Sequence, residues 1–271
     1  MNTSEKNIIL TGPPRSGTTL ACYLLNKVAD TVALHEPMNL RMFPDIEGGL
    51  SSIDAFFREM RQSLLADGTA LAKVAGDKIP DNPFQQAEGG RRQSIVQKGR
   101  VHFDKPLSDD FYLVIKQNAH FTFLLDELLQ RYPCYAVIRN PVSTIASWNT
   151  IQAPVARGNL TVLKTLKPAL YEELECIPKL LDRQVRLAHE LFACYLQLGE
   201  HQVIRYEQMA ASGGAALSKA IPEAAALNET LESKNRNNLY SRQLLEDIKA
   251  ALLSFEGAYW AFYSKTEVEH I

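Results

Sequence analysis

The chain has almost no charge surplus: 29 lysines and arginines stand against 31 aspartates and glutamates, a formal net charge of -2. A balance this close gives no long-range attraction to nucleic acid or to an anionic membrane. The basic stripe with interleaved aromatics that marks a nucleic-acid module is missing as well. Any anion site therefore has to be built locally, from a few placed arginines, lysines and backbone N–H groups. Long hydrophobic runs are also absent, and no stretch approaches the ~18 apolar residues of a membrane span. Met1-Asn2-Thr3-Ser4-Glu5-Lys6 has no apolar signal core. Chemistry begins by residue 12, which leaves no room for an anchor and stalk ahead of it, so the expectation is a cytoplasmic protein. Cysteine is sparse: Cys22, Cys134, Cys176 and Cys194 make no C-x-x-C pair and have apolar neighbours. A zinc site is not expected from them; buried free thiols in a reducing compartment are. Internal repeats and low-complexity tracts are lacking too.

What remains is an ordinary globular composition, 46% hydrophobic and 22% charged over 271 residues, read as one domain spanning 1–271. Asn7-Ile8-Ile9-Leu10 is a short apolar run that ends in Thr11-Gly12-Pro13-Pro14, a buried strand feeding a loop. Helical spacing begins at Thr18, with Leu20, Tyr23 and Leu24. Thr31-Val32-Ala33-Leu34 is a second strand, stopped by His35-Glu36-Pro37, and 53–66 reads as an amphipathic helix. The stretch 76–110 carries Gly76, Pro80, Pro83, Gly89, Gly90, Gly99 and Pro106 with no sustained period. It reads as a long loop, either a lid or acceptor-binding segment or a solvated insertion without a role. A third strand over 111–115 is followed by Lys116, and a helix over 121–130 leads to a strand over 135–138 ending at Arg139. A helix carrying Ile145 and Trp148 follows, then a long helix over 169–198 interrupted or kinked near Pro178. A strand over 203–206 precedes a mostly helical C-terminal third.

Apolar strands alternating with helices define an α/β fold, a parallel sheet flanked by helices on both faces. Ligands in such sheets gather at the carboxyl ends of the strands. Those ends are 11–19, 35–36, 116–120, 139–140 and 206–207, and they hold most of the polar residues with chemical potential. Gly12-Pro13-Pro14-Arg15-Ser16-Gly17-Thr18-Thr19 lies between a strand and a helix, a P-loop-type placement that aims backbone N–H groups at a phosphate or sulfate. The ATP-binding form ends in Gly-Lys-Ser/Thr. Here Thr18 occupies the lysine position and the cation has moved to Arg15. The strand that would end in a magnesium-supporting aspartate ends instead in Arg139, which implies a second anion and no metal.

Pro14-Arg15-Ser16-Gly17-Thr18-Thr19-Leu20 resembles the 5′-phosphosulfate loop of sulfotransferases that use PAPS (3′-phosphoadenosine 5′-phosphosulfate). Arg139-Asn140-Pro141, with Ser147 eight residues after Arg139, resembles their 3′-phosphate motif, and Val203-Ile204-Arg205-Tyr206-Glu207 a later strand end. The three occur in the family's order over roughly 10–210. The resemblance implies PAPS as donor and PAP (3′-phosphoadenosine 5′-phosphate) as product. It implies that the N–H groups of Ser16, Gly17, Thr18 and Thr19 hold the 5′-phosphate and that Arg15 neutralises the transferring group. Arg139 and Ser147 would bind the 3′-phosphate, with Lys234 and Arg236 as late donor contacts.

His35-Glu36-Pro37 resembles a segment of carbohydrate sulfotransferases, so a carbohydrate or glycolipid-like acceptor is implied, with Glu36 as base. A base of this kind works best when desolvation raises its pKa toward neutrality. His35 and His120 are the rival bases, and Lys116 would contact the sulfuryl group or the acceptor. Phe84, His102, Phe103, Trp148 and Arg157 are expected to shape the acceptor cleft. Two other readings share the opening strand–loop–helix: a P-loop small-molecule kinase or NTPase, and a non-catalytic nucleotide-binding relative.

Overall fold

The computed structural model describes residues 5–86 and 91–271. Gly89 and Gly90, and the first four residues, lie outside the described residues. The strands are β1 (Asn7–Thr11), β2 (Thr31–His35), β3 (Thr69–Val74), β4 (Phe84–Gln86), β5 (Arg92–Ser94), β6 (Gln97–His102), β7 (Tyr112–Lys116), β8 (Cys134–Ile138) and β9 (Val203–Arg205). Five of them form a parallel sheet in the order β2-β7-β1-β8-β9. The α/β architecture and the parallel sheet are as the apolar runs imply.

The period of two divides the strand residues between two cores. Ile9, Val32, Leu34, Leu113, Ile115 and Ile138 face one side, where Phe56, Phe57 and Met60 of helix Ile46–Asp67 cover them. Ile8, Leu10, Ala33, Val114 and Val137 face the other, under Leu24 and Leu25 of helix Thr18–Leu25 and Met209 of helix Tyr206–Ala211. Each fully buried aliphatic contributes ~2 kcal/mol. The carboxyl ends of β1, β2, β7 and β8 are therefore fixed from both faces, which makes them a rigid place to mount a site.

The segment 76–110 is not a long loop. β3 and β6 pair antiparallel from Thr69↔His102 to Val74↔Gln97, and β4 pairs with β5 as a second hairpin. Helix Ile46–Asp67 ends at Gly68, whose φ of 69° is the left-handed stop that releases the chain into β3. The helix expected over 121–130 is two shorter ones, Asn118–Phe123 and Leu125–Leu128. The long helix is split at Pro178 into Pro168–Cys176 and Leu180–Tyr195, because proline cannot donate to the helical ladder. The C-terminal third holds helices Tyr206–Ala211, Arg242–Leu253 and Lys265–Glu269 with 3-10 turns, but 227–240 is irregular. Cys22 and Cys134 are buried free thiols as expected, whereas Cys176 is exposed and Cys194 half-buried. Among the described residues no helix is long and apolar enough to cross a membrane.

Candidate active site

The carboxyl ends of the strands open into a cleft of about 1230 Å³. Among the described residues, five of the seven buried polar side-chain atoms that lack a partner belong to residues lining it: His35 Nε2, Arg92 Nε, Gln117 Oε1, Asn118 Oδ1 and His120 Nε2. Buried polar groups are rarely left unpaired without a reason. Their concentration here marks where a polar ligand belongs.

At one end stands the loop after β1. Gly12 has φ 150°, and a Cβ there would lie 2.1 Å from the Val137 carbonyl oxygen; at Gly17, φ 97°, a Cβ would lie 2.6 Å from the Tyr206 ring. Only glycine lets the loop pass this close to β8 and Tyr206. The Ser16 hydroxyl donates to Val137 O at 2.6 Å and Trp148 Nε1 to Pro14 O at 2.7 Å, which pins the loop from two sides. The first N–H groups of helix Thr18–Leu25, those of Thr18, Thr19 and Leu20, have no intrahelical acceptor. The Ser16 N–H, expected to hold a phosphate, instead closes a turn on Pro13 O at 3.1 Å.

Arginines converge on this loop. Arg15 donates from Nε to Ser147 Oγ at 3.2 Å and from Nη2 to Asn82 Oδ1 at 3.3 Å, with its guanidinium 4.8 Å from the centre of the Phe84 ring. Arg92 donates to the same Ser147 Oγ at 3.1 Å and to Thr150 Oγ1. Arg139 donates to Asn235 Oδ1 at 2.8 Å, to Arg15 O at 3.2 Å and to Lys234 O, and its guanidinium sits 4.8 Å from the centre of the Tyr206 ring. Arg92 and Arg139 are buried and Arg15 is half-buried. Among the described residues none of the three has a carboxylate partner within salt-bridge reach. Burial, then Arg92 and Arg139, depress Arg15 to about 9. It still carries its charge at neutral pH, so the cluster is three repelling cations.

At the other end β2 and β7 deliver His35, Glu36 and Lys116. Lys116 Nζ donates to Glu36 Oε1 at 2.7 Å, and Lys73 Nζ, from β3, to Glu36 Oε2 at 2.6 Å. Burial alone would raise Glu36, but Lys116, His35 and Lys73 outweigh it and hold the carboxyl well below its usual range. The expectation that desolvation lifts Glu36 toward neutrality is corrected accordingly. Three described non-glycine residues have positive φ, and two of them are Arg15 at 72° and Glu36 at 42°. Strain of this kind persists only where the surroundings impose it, and it clusters at functional sites.

The two imidazoles are neutral at pH 7. Burial, then Lys116, brings His35 to about 3; burial, with Lys73 and Lys98 adding, brings His120 to about 4. Lys116 Nζ lies 3.5 Å from His35 Nδ1 and can only donate, so the His35 proton sits on Nε2. The Gln117 amide meets His120 Nδ1 at 3.5 Å in the same way. Both unpartnered Nε2 atoms are thus N–H donors rather than free lone pairs.

Other expected residues fall differently. Ser147 serves Arg15 and Arg92 and has no bond to Arg139. Tyr206 is a platform: its ring lies against Gly17 and Arg139, and its hydroxyl accepts from the Lys234 N–H at 2.8 Å. Lys234 lines the cleft, but its ammonium pairs with Glu232. Arg236 is not a cleft residue; it is exposed and donates to His270 O. Glu207 accepts from Asn140 N at 2.9 Å, Asn235 Nδ2 at 2.8 Å and Tyr263 Oη at 3.0 Å, bracing the turn after β8. Phe84 lines the cleft, whereas His102, Phe103 and Arg157 do not, and Trp148 is buried behind the loop. Arg92, Lys73 and Lys98 were not singled out from sequence. The alternation of β3 gives a faint sign of Lys73; nothing separates Arg92 from the neighbouring Arg91 except strand register.

No family model and no curated protein matches the sequence. Among solved structures, the sulfotransferase domain from the Synechococcus PCC 7002 olefin synthase aligns over 100% of this chain and 91% of its own, at 14% identity and a TM-score of 0.40. Sulfotransferase STF9 from Mycobacterium avium aligns over 97% of this chain and 78% of its own, at 12% identity and a TM-score of 0.39. Both neighbours are sulfotransferase domains. At this level of similarity the roles of individual residues do not transfer from either one.

Proposed function

We propose that the protein is a sulfotransferase that moves a sulfuryl group from PAPS to an acceptor hydroxyl or amine, on a carbohydrate or glycolipid-like molecule. The observation that carries the reading is the convergence of Arg15, Arg92 and Arg139 beside the open N–H groups of Thr18 and Thr19, with no carboxylate among the described residues to neutralise them. Buried charge without a partner is costly, and a ligand with phosphate-like groups at both ends relieves it. The unpartnered Nε of Arg92 fits such a ligand as well. PAPS supplies an activated sulfuryl group, and the acceptor oxygen displaces PAP from it in line.

The chain's own residues then have distinct tasks. Arg139 presents a planar fork toward one phosphate. Arg15, in a strained backbone state, faces the loop where the second anionic group docks. Lys116 is held at the strand end, aimed between Glu36 and His35. Glu36 takes the acceptor's proton: it is ionised, its side chain is 22% exposed, and the histidines offer N–H groups where a base needs a lone pair. Lys73 and Lys116 must yield one of its oxygens to the acceptor.

A thermal-shift comparison of PAP, ADP and magnesium-ATP at equal concentration tests the donor. A ligand at about 100 times its dissociation constant stabilises the fold by roughly 2.7 kcal/mol. A large shift with PAP and little with the others is expected. A shift with magnesium-ATP and none with PAP removes the sulfotransferase reading in favour of a kinase.

A further inference from the structure

The β2 side of the cleft holds more positive charge than sulfuryl transfer from PAPS uses. Lys73 and Lys98 are direct partners in the antiparallel β3–β6 ladder, and both line the cleft. Like charges set directly opposite in a sheet are destabilising, and a sequence keeps such a local conflict where function demands it. A lysine on a short strand often guards against edge-to-edge pairing. Arg100, two residues along β6, is occupied otherwise, donating to Ser63 of helix Ile46–Asp67 and Thr69 of β3. Edge protection covers a lone lysine. It does not account for a lysine placed against the one that grips Glu36.

Lys73 is engaged by Glu36. Lys98 donates to Asn39 Oδ1, and among the described residues it has no carboxylate within salt-bridge reach. Burial and the Lys73 charge push its ammonium down to about 8, the behaviour of a cation short of a counter-ion. Arg41 stands on the same rim. The donor phosphate held at Arg139 cannot supply the missing charge. β2 and β8 are three strand spacings apart in the sheet, about 14 Å, so the Arg139 end and the Lys98 end serve different ligands or different parts of one. His35 and His120, each with an unpartnered Nε2, lie on this side. Another part of the wall is apolar, formed by Ile151, Val155, Leu160 and Val162.

We infer that the acceptor is an amphipathic alcohol that carries its own anionic group, a carboxylate or a phosphate ester. The anion sits at Lys98 and Lys73, the aliphatic body lies against Ile151, Val155 and Val162, and the hydroxyl meets Glu36. This deepens the sulfuryl-transfer reading and rests on it for the identity of the donor.

Three matched probes test it: octyl glucoside, octyl glucuronide and octyl glucoside 6-phosphate. Their binding is measured by calorimetry at fixed ionic strength, with and without PAP, to the wild-type protein and to Lys98→Gln. The expected result is that at least one anionic probe binds about tenfold tighter than octyl glucoside, a difference of about 1.4 kcal/mol, and that Lys98→Gln abolishes the preference. The preferred probe then tells carboxylate from phosphate. Equal affinity for the neutral probe, a preference that survives Lys98→Gln, or no binding of any probe to a protein that does bind PAP each overturns the anion subsite and leaves the donor reading intact. A Lys98-dependent preference in a protein that fails to bind PAP overturns the donor reading and leaves the subsite standing.

Discussion

The two ends of the cleft treat buried positive charge in opposite ways. Around β1 and β8, Arg15, Arg92 and Arg139 crowd together and bond only neutral acceptors: Ser147, Thr150, Asn82, Asn235 and two backbone carbonyls. Around β2 and β7, Lys116 and Lys73 divide one carboxylate between them. The first arrangement is incomplete until an anion arrives and so stores affinity. In the second the carboxylate bridges the two lysines, which fixes the positions of Glu36 and Lys116 before any ligand binds. One end is built to capture and the other to hold a geometry.

The sharpest way to break this contrast is to remove the shared carboxylate. In Glu36→Gln the Lys116 ammonium, 1% exposed and already lowered by burial, loses its counter-ion. Orphaning one member of a buried pair costs about 3–5 kcal/mol, and turnover falls at least about a hundredfold with loss of the base. Denaturant unfolding and steady-state kinetics measure the two effects separately. PAP affinity is expected to persist. A Glu36→Gln protein of wild-type stability shows that Lys116 is not held by the pair.

Next in size is Arg139→Ala. It removes a cation from the capturing end, and PAP affinity should fall about a hundredfold, roughly 2.7 kcal/mol. Adenosine 5′-phosphosulfate, which has no 3′-phosphate, should lose far less. Equal losses for the two ligands, read by calorimetry, show that Arg139 does not contact the 3′-phosphate.

The sequence disclosed the two ends unequally. Arg15, Glu36, Lys116 and Arg139 are legible because each follows an apolar run of a parallel strand, and such strands end where ligands bind. The glycines of the loop are legible because a close backbone approach excludes a side chain at Gly12 and Gly17. Arg92 and Lys98 are not legible. They are delivered by short antiparallel strands, Arg-Gln-Ser and Gln-Lys-Gly-Arg-Val-His, with hardly any apolar alternation to reveal a face. Their meaning also depends on partners distant in sequence: Arg92 on Ser147, Lys98 on Lys73. The direction of the Glu36 shift was hidden for the same reason, since burial is readable from an apolar neighbourhood but Lys73 arrives from β3. Ser147 was expected to share a phosphate with Arg139; in the ligand-free protein its hydroxyl accepts from Arg15 and Arg92.

Acid sharpens the comparison from the end that holds a geometry. His35 and His120 are held near 3 and 4 in the folded protein, below the ordinary histidine value of about 6.5. As pH falls below 6.5 the unfolded chain takes up these two protons and the folded one does not, so stability falls with pH until the folded values are reached. Glu36, held below its ordinary value of 4.5 in the folded protein, adds to the fall only as pH approaches that value. Between pH 6.5 and 5 each histidine should therefore remove about 1.6 kcal/mol. Urea unfolding at pH 5, 6 and 7 reads the slope, and His120→Gln should remove the share that His120 contributes. An undiminished slope in that variant means that His120 is charged in the folded state.

The smallest effect expected is a gain. Arg92 is lowered by burial and by Arg139 with only Tyr240 favouring its charge, and it leaves its Nε without a partner. Arg92→Met keeps the length and apolar volume of the side chain while deleting the charge. Ser147 Oγ still accepts from Arg15, and the Thr150 hydroxyl still donates to Ser147 O at 2.8 Å, so neither is stranded. Replacing uncompensated buried charge by a packed apolar group is neutral or stabilising, and about 1 kcal/mol of added stability in the ligand-free protein is the expected outcome. PAP affinity should drop in the same variant. The two readings together test the idea of a capturing end, because a residue kept for the fold alone would lose stability when replaced, and a residue kept for the ligand would lose only the ligand.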